Sequence, residues 1–108
     1  MRIYIDSTDN TKAVIRIDDK EFTRNVKSPR DQDILGFLVH CLEKENIKPE
    51  DIDELEVNPG PGSFTGTRVG VAIANMLGYA LEIKVNGSYT PVEPIYSKPP
   101  SITKKQDS

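Results

Sequence analysis

Along its first 26 residues the chain alternates between apolar and polar positions. Residues 2–6 (RIYID) set Ile3 and Ile5 against Arg2, Tyr4 and Asp6. Residues 12–18 (KAVIRID) put Ala13, Ile15 and Ile17 on one face, and residues 21–26 (EFTRNV) do the same with Phe22 and Val26. A period of two is the mark of a strand, and the short polar turns STDN and DDK between the runs predict a three-stranded antiparallel meander. Over residues 30–46 (RDQDILGFLVHCLEKEN) the period lengthens. Ile34, Leu35, Leu38, Cys41 and Leu42 form an apolar stripe at helical spacing, and Asp31 and Asp33 stand near the positive end of the helix. Pro49 lies in the linker that follows. Residues 52–58 (IDELEVN) read as a fourth strand with Leu55 and Val57 on one side. A second helix runs from about Thr65 to Leu81, and a fifth strand (EIKVN) carries Ile83 and Val85.

The predicted order is βββαβαβ, an α/β arrangement with a five-stranded mixed sheet. Every strand has polar or charged residues at alternate positions, among them Arg16, Thr23, Asn25, Glu54, Glu56 and Lys84. Such strands belong to a sheet covered on one face and wet on the other, so both helices are expected on the same face. Residues 1–87 form the folding unit. From Ser88 onward the chain is proline-rich and without periodicity, and residues 88–108 are expected to be an extended tail that frays at its end.

Composition narrows the function. A chain of 108 residues suits one small domain, and with 36% hydrophobic and 6% aromatic residues and no Trp its core is lean, the kind that a partner completes. A formal net charge of −3 argues against general nucleic-acid binding, which rests on Lys and Arg neutralising phosphates. The single cysteine, Cys41, fits a reducing cytoplasm, and neither a signal peptide nor a membrane-spanning run is visible.

The segment VNPGPGSFTGTRVGVAIA (57–74) is the most distinctive. Glycines before a helix expose backbone N–H groups to an anion. A phosphate loop, however, needs a Lys that is absent here, and Gly60, Gly62 and Gly66 are one residue too far apart for a dinucleotide fingerprint. The plainer reading is a tight strand-to-helix turn stiffened by Pro59 and Pro61 and capped by Ser63 or Thr65. Arg68 in the first helical turn opposes the helix dipole, and is either paired with an acid or solvated. Gly66, Gly70, Ala74 and Gly78 recur at steps of four and form a smooth ridge. Interior glycine costs a helix about 1 kcal/mol, so the ridge implies a close backbone approach, by the chain's own sheet, by its first helix or by a partner. The second helix is apolar nearly all round, and the first carries Phe37 and Val39 beyond its stripe, which together predict an apolar patch left for a partner. His40 reads as a surface histidine. It is adjacent to Cys41 and so cannot share a metal with it, because neighbouring helical residues point about 100° apart. No metal set and no Ser/His/Asp arrangement is visible, and Ser63 has no base in view.

With those residues in view, the chain resembles the bacterial TsaB (YeaZ) family. The resemblance rests on IDSTDN (5–10), DILGFLVHCL (33–42) and PGSFTGTRVGVAIANMLGYAL (61–81); the family pattern G-P-G-S-F-T-G-x-R-x-G is matched by residues 60–70 at every fixed position. It covers residues 1 to 87, and the PVEPIYSKPPSI tail is similar to the family's extreme C-terminus. The resemblance implies an actin-like (ASKHA, ribonuclease-H-like) fold, here a single subdomain. The second subdomain and the helix over the sheet's other face are expected to be lacking, so that Asp6, Ser7 and Thr8 hold no ATP and no cofactor is expected. It implies a non-catalytic subunit that pairs with a TsaD-like protein as a heterodimer in making threonylcarbamoyladenosine in tRNA. A TsaE-like ATPase would join, and tRNA would be met only indirectly. The family's usual His at the start of the first helix is Arg30 here, so no role transfers to it. The residues expected to contact the partner are Ile34, Phe37, Leu38, Cys41, Gly66, Arg68, Gly70, Ile73, Ala74 and Leu77. A homodimer through the same patch is the second reading, and a nucleotide hydrolase or peptidase remnant the third.

Overall fold

The computed structural model describes residues 1–28 and 33–95. The expected meander is present: β1 (Arg2–Asp6), β2 (Lys12–Ile17) and β3 (Lys20–Asn25) pair antiparallel in sequence. β4 (Glu54–Val57) then joins the free side of β1 in parallel, giving a four-stranded mixed sheet of order β3-β2-β1-β4. Register aligns the apolar positions. Ile3 faces Ile17 and Leu55, and Ile5 faces Ile15 and Val57, so one face collects aliphatic side chains that are all buried. The opposite face carries Arg2, Tyr4 and Asp6 of β1 and Arg16 of β2. It is wet, and is laced by Arg2–Glu54 (3.2 Å) and Arg16–Glu21 (3.1 Å) ion pairs and by the Arg16 guanidinium 4.5 Å over the Tyr4 ring.

Both helices cover the apolar face. α1 (Ile34–Lys44) is capped by Asp33, whose carboxylate accepts from the Gly36 N–H at 3.0 Å; it packs over β2. The expected helical residues Arg30 and Asp31 lie outside the described residues. α2 (Phe64–Leu81) is capped by Ser63 and lies over β1 and β4 against α1. A single core results, in which Ile3, Ile5, Ile15, Ile34, Leu38 and Leu55 are fully buried.

The expected fifth strand is not one. After α2, Glu82 (φ 58°), Asn86 (φ 52°) and Gly87 (φ 79°) all adopt left-handed conformations, which leaves only residues 83–85 extended. Val85 makes one parallel bridge to Leu55, and the Asn86 side chain takes over the role of a continuing strand. Its amide donates to Val57 O at 3.0 Å and accepts from Val57 N at 2.8 Å. With the backbone bonds Leu55 N to Lys84 O (3.3 Å) and Asn86 N to Leu55 O (3.0 Å), those two side-chain bonds satisfy the edge of β4 beyond the single bridge.

The first part of the tail is held against the body. The Asn75 side chain donates to Val92 O and accepts from Val92 N, both at 2.9 Å, and Ile95 N donates to Pro59 O at 2.5 Å. Val92 packs on the core between these anchors. The tail beyond Ile95, where fraying was expected, lies outside the described residues.

Candidate functional site

The turn after β1 and the glycine turn before α2 meet at the carboxyl ends of two parallel strands. Asp6 ends β1 with its carboxylate fully engaged. It accepts from the Thr8 hydroxyl (2.7 Å), Thr8 N–H (3.0 Å), the Asn58 amide (3.2 Å) and the Tyr4 hydroxyl (3.3 Å). Burial pushes this carboxyl up, but the donors from Thr8, Asn58 and Tyr4 prevail and hold it below its ordinary value. Ser7 is buried, and its hydroxyl donates to Gly66 O at 2.6 Å. Ser63 N donates to Thr8 O at 2.7 Å, and Gly60 N to the Asn58 side chain at 3.1 Å. Asp6 thus braces the first turn against Tyr4 and Asn58, while Ser7 and the Thr8 carbonyl tie it to α2 and its cap.

This geometry explains the small-residue ridge. A Cβ on Gly62 would fall under 3.0 Å from Thr8, one on Gly66 under 3.0 Å from the Ser7 carbonyl, and one on Gly70 under 3.0 Å from the Ser7 hydroxyl. Farther along, a Cβ on Gly78 would meet Val85. At Gly60 a side chain would meet the Ile95 carbonyl, and its φ of +109° suits glycine alone. The close backbone approach is made by the chain's own first turn, not by a partner.

The ridge points inward, and most of the residues expected to contact a partner lie with it. Ile34, Phe37, Leu38 and Cys41 of α1, and Gly66, Gly70, Ile73 and Ala74 of α2, are all buried in the chain's own core. Burial also pushes the Cys41 thiol up, away from the reactive thiolate. Leu77 is half-buried. Of the ten, only Arg68 is exposed; its guanidinium stacks 5.1 Å over the Phe64 ring, and it makes no ion pair among the described residues. His40 is exposed, as expected.

The solvent side of the helices holds different residues. On α2, Thr65, Arg68, Ala72, Met76 and Tyr79 are exposed and follow one another at steps of three and four, so they share a face. Met76 is 51% and Tyr79 89% exposed, and on α1 Leu35 (41%) and Val39 (44%) are exposed one turn apart. Among the described residues there is no group of His, Cys, Asp and Glu arranged to hold a metal, and no helix is long and apolar enough to cross a membrane.

Residues 30–88, more than half of the chain, match the family model described as TsaD, tRNA N6-adenosine threonylcarbamoyltransferase. The chain belongs to this family, among its TsaB (YeaZ) members. The tRNA threonylcarbamoyladenosine biosynthesis protein TsaB of Bacillus subtilis (strain 168) is 25% identical over 90 residues, covering 68% of this chain and 39% of that protein. The solved structure of YeaZ from Pseudomonas aeruginosa superposes with a TM-score of 0.65 at 18% identity, covering 78% of this chain and 41% of the other. A second structure, of an uncharacterized protein with similarity to peptidase YeaZ from Pseudomonas aeruginosa, gives 0.64 at 18% identity over 78% of this chain and 40% of its own. At that identity the superpositions speak for the fold alone. The chain spans about two fifths of the length of these TsaB and YeaZ relatives.

In this TsaB-type chain the sequence reading missed two structural amides, Asn75 and Asn86. An Asn inside a long apolar helix stood out as the one polar residue between Ala74 and Met76. A buried or half-buried amide needs partners, and the proline-rich segment that follows offers unpaired backbone.

Proposed function

We propose that the chain is a non-catalytic cytoplasmic subunit of the machinery that makes threonylcarbamoyladenosine in tRNA, docking on a TsaD-like enzyme through the outward faces of α1 and α2. The observation that carries this reading is the exposed apolar stripe: Leu35 and Val39 on α1, Met76 and Tyr79 on α2. Large apolar side chains exposed on two helices that pack together support an interaction site. The Bacillus subtilis relative, a tRNA threonylcarbamoyladenosine biosynthesis protein, points to the process. The fold is read as one actin-like subdomain.

The non-catalytic reading is supported by the state of the reactive groups. Asp6 and Ser7 are committed to structural hydrogen bonds, Ser63 caps α2, and Cys41 is buried. A TsaE-like ATPase would join the TsaD-like partner, and contact with tRNA would pass through the enzyme. The same stripe supports a second reading, a homodimer built on a two-fold pairing of these helices.

A stable interface buries roughly 1,200–2,000 Å² in total, so charges placed at its centre are poorly tolerated. Val39→Glu and Met76→Glu change exposed positions and leave the core untouched. Each is expected to weaken capture of a TsaD-like protein about tenfold or more, with the thermal midpoint unchanged. Undiminished capture by both variants would remove the helical face from the interface.

A further inference from the structure

We propose that the cavity at the C-terminal end of α2 is a binding site for an organic cation, a guanidinium or ammonium group on an alkyl stem. The cavity measures about 720 Å³ and opens to solvent between the end of α2 and residues 83–91; its walls include Tyr79, Glu82, Ile83, Tyr89 and Pro91. That volume falls within the range of small-molecule sites, roughly 300–1,000 Å³.

The chemistry of the walls selects the charge. The last turn of a helix carries a partial negative charge, which basic residues there ordinarily offset. α2 has no basic residue in its last turn, and its C-cap is Glu82. A carboxylate there adds negative charge to a negative end. Glu82 also holds the left-handed conformation (φ 58°) that glycine or asparagine fills most easily. Two choices that work against folding thus coincide at one residue, which lines the cavity and makes no ion pair among the described residues. Positions that break local rules in this way are expected where a residue serves something other than the fold.

Two aromatic rings complete the site. Tyr79 and Tyr89 are 89% and 72% exposed, yet both edge this cavity. Aromatic faces attract cations, and alkylammonium and guanidinium groups bind best where rings and a carboxylate converge. The chain itself supplies a precedent, since Lys84, outside the lining residues, places its ammonium 5.6 Å from the Tyr89 ring centroid. Ile83 and Pro91 offer apolar surface for the stem. An anion would be repelled by Glu82 and by the helix end. A hard metal ion would need several oxygen ligands, whereas the lining holds one carboxylate.

The test is a titration of the isotope-labelled full chain, followed by amide chemical shifts. The probes are spermidine, N-acetyl-arginine-N-methylamide and, as a neutral control, N-acetyl-citrulline-N-methylamide. Saturable shifts confined to residues 78–82 and 88–90 are expected with a charged probe and not with citrulline. Saturation by the arginine probe alone would assign the cation to a protein side chain, and by spermidine alone to a free polyamine; either supports the site. Glu82→Gln should weaken binding about fivefold, and Tyr79→Ala and Tyr89→Ala should each weaken it as well. Glu82→Gly should weaken binding at least as much as Glu82→Gln while raising the thermal midpoint, because it relieves the left-handed strain. That outcome separates a lost site from a lost fold. Absence of saturable shifts with both charged probes, equal binding of citrulline, or an unchanged affinity in Glu82→Gln would overturn the proposal.

Discussion

The seat of α2 on the first turn yields a prediction whose sign changes with the background. Gly70 is inside a helix, where alanine is favoured by about 1 kcal/mol. Its missing Cβ, however, would fall under 3.0 Å from the Ser7 hydroxyl, closer than real Cβ atoms come. In Gly70→Ala the hydroxyl must rotate away, and its 2.6 Å bond to Gly66 O is lost. Ser7 is only 4% exposed, so both partners are stranded from water at a cost of about 1–3 kcal/mol. Residual overpacking adds about 1 kcal/mol or more. After the helix gain is subtracted, Gly70→Ala should destabilise by about 1–3 kcal/mol. In a Ser7→Ala background the obstructing oxygen is gone. The new methyl then meets only Ser7 Cβ at 3.4 Å and Ile5 Cγ2 at 3.7 Å, ordinary contacts. There Gly70→Ala should stabilise by about 1 kcal/mol. Urea unfolding of the four proteins, followed by far-ultraviolet circular dichroism, gives the coupling directly, expected at about 2 kcal/mol or more. If Gly70→Ala has the same sign in both backgrounds, the ridge is not seated on Ser7 and its inward direction is wrong.

Other outcomes follow from the same contacts. Asp6 has a depressed carboxyl value, so its contribution is fully present above the ordinary value of 3.8 and is lost as pH falls below it toward the folded-state value; Asp6→Asn should flatten this acid limb in pH-dependent unfolding. At neutral pH Asp6→Asn should also cost about 1–2 kcal/mol, because hydrogen bonds to a charged acceptor are replaced by weaker ones. The Thr67 hydroxyl is buried without a partner, so the near-isosteric Thr67→Val should raise stability by about 1 kcal/mol, read as an upward shift of the thermal midpoint. Asn75→Ala removes both bonds to Val92; hydrogen exchange at the Val92 and Ile95 amides should accelerate at least tenfold, while that of the β1 and β2 amides stays unchanged.

The meander, both helices and the wet face were legible because each rests on periodicity. A one-residue slip between β1 and β2 would turn Ile3 and Ile5 away from the face that Ile15 and Ile17 share. The fifth strand failed for a reason that alternation does not show. Ile83 and Val85 are spaced as in a strand, but backbone turns at Glu82, Asn86 and Gly87 cut the pairing to one bridge, which a side-chain amide extends. The direction of the glycine ridge was equally hidden. Spacing places Gly66, Gly70, Ala74 and Gly78 on one face and says nothing about which surface that face meets. Composition favoured a partner, but Ser7 occupies the place. Which of the expected contact residues point inward was hidden for the same reason. Inward and outward stripes of a helix that is apolar nearly all round look alike in sequence, and only the packed sheet separates Ile73 and Ala74 from Ala72 and Met76.

The central claim is that the exposed stripe of α1 and α2 receives a TsaD-like protein. Co-expression of the chain with such a protein, followed by sizing chromatography with light scattering, tests it most directly. The account predicts a stable complex with equal numbers of the two chains that Met76→Glu dissolves. A chain that elutes alone, as a monomer or as a homodimer, with the TsaD-like protein in a separate peak would contradict it.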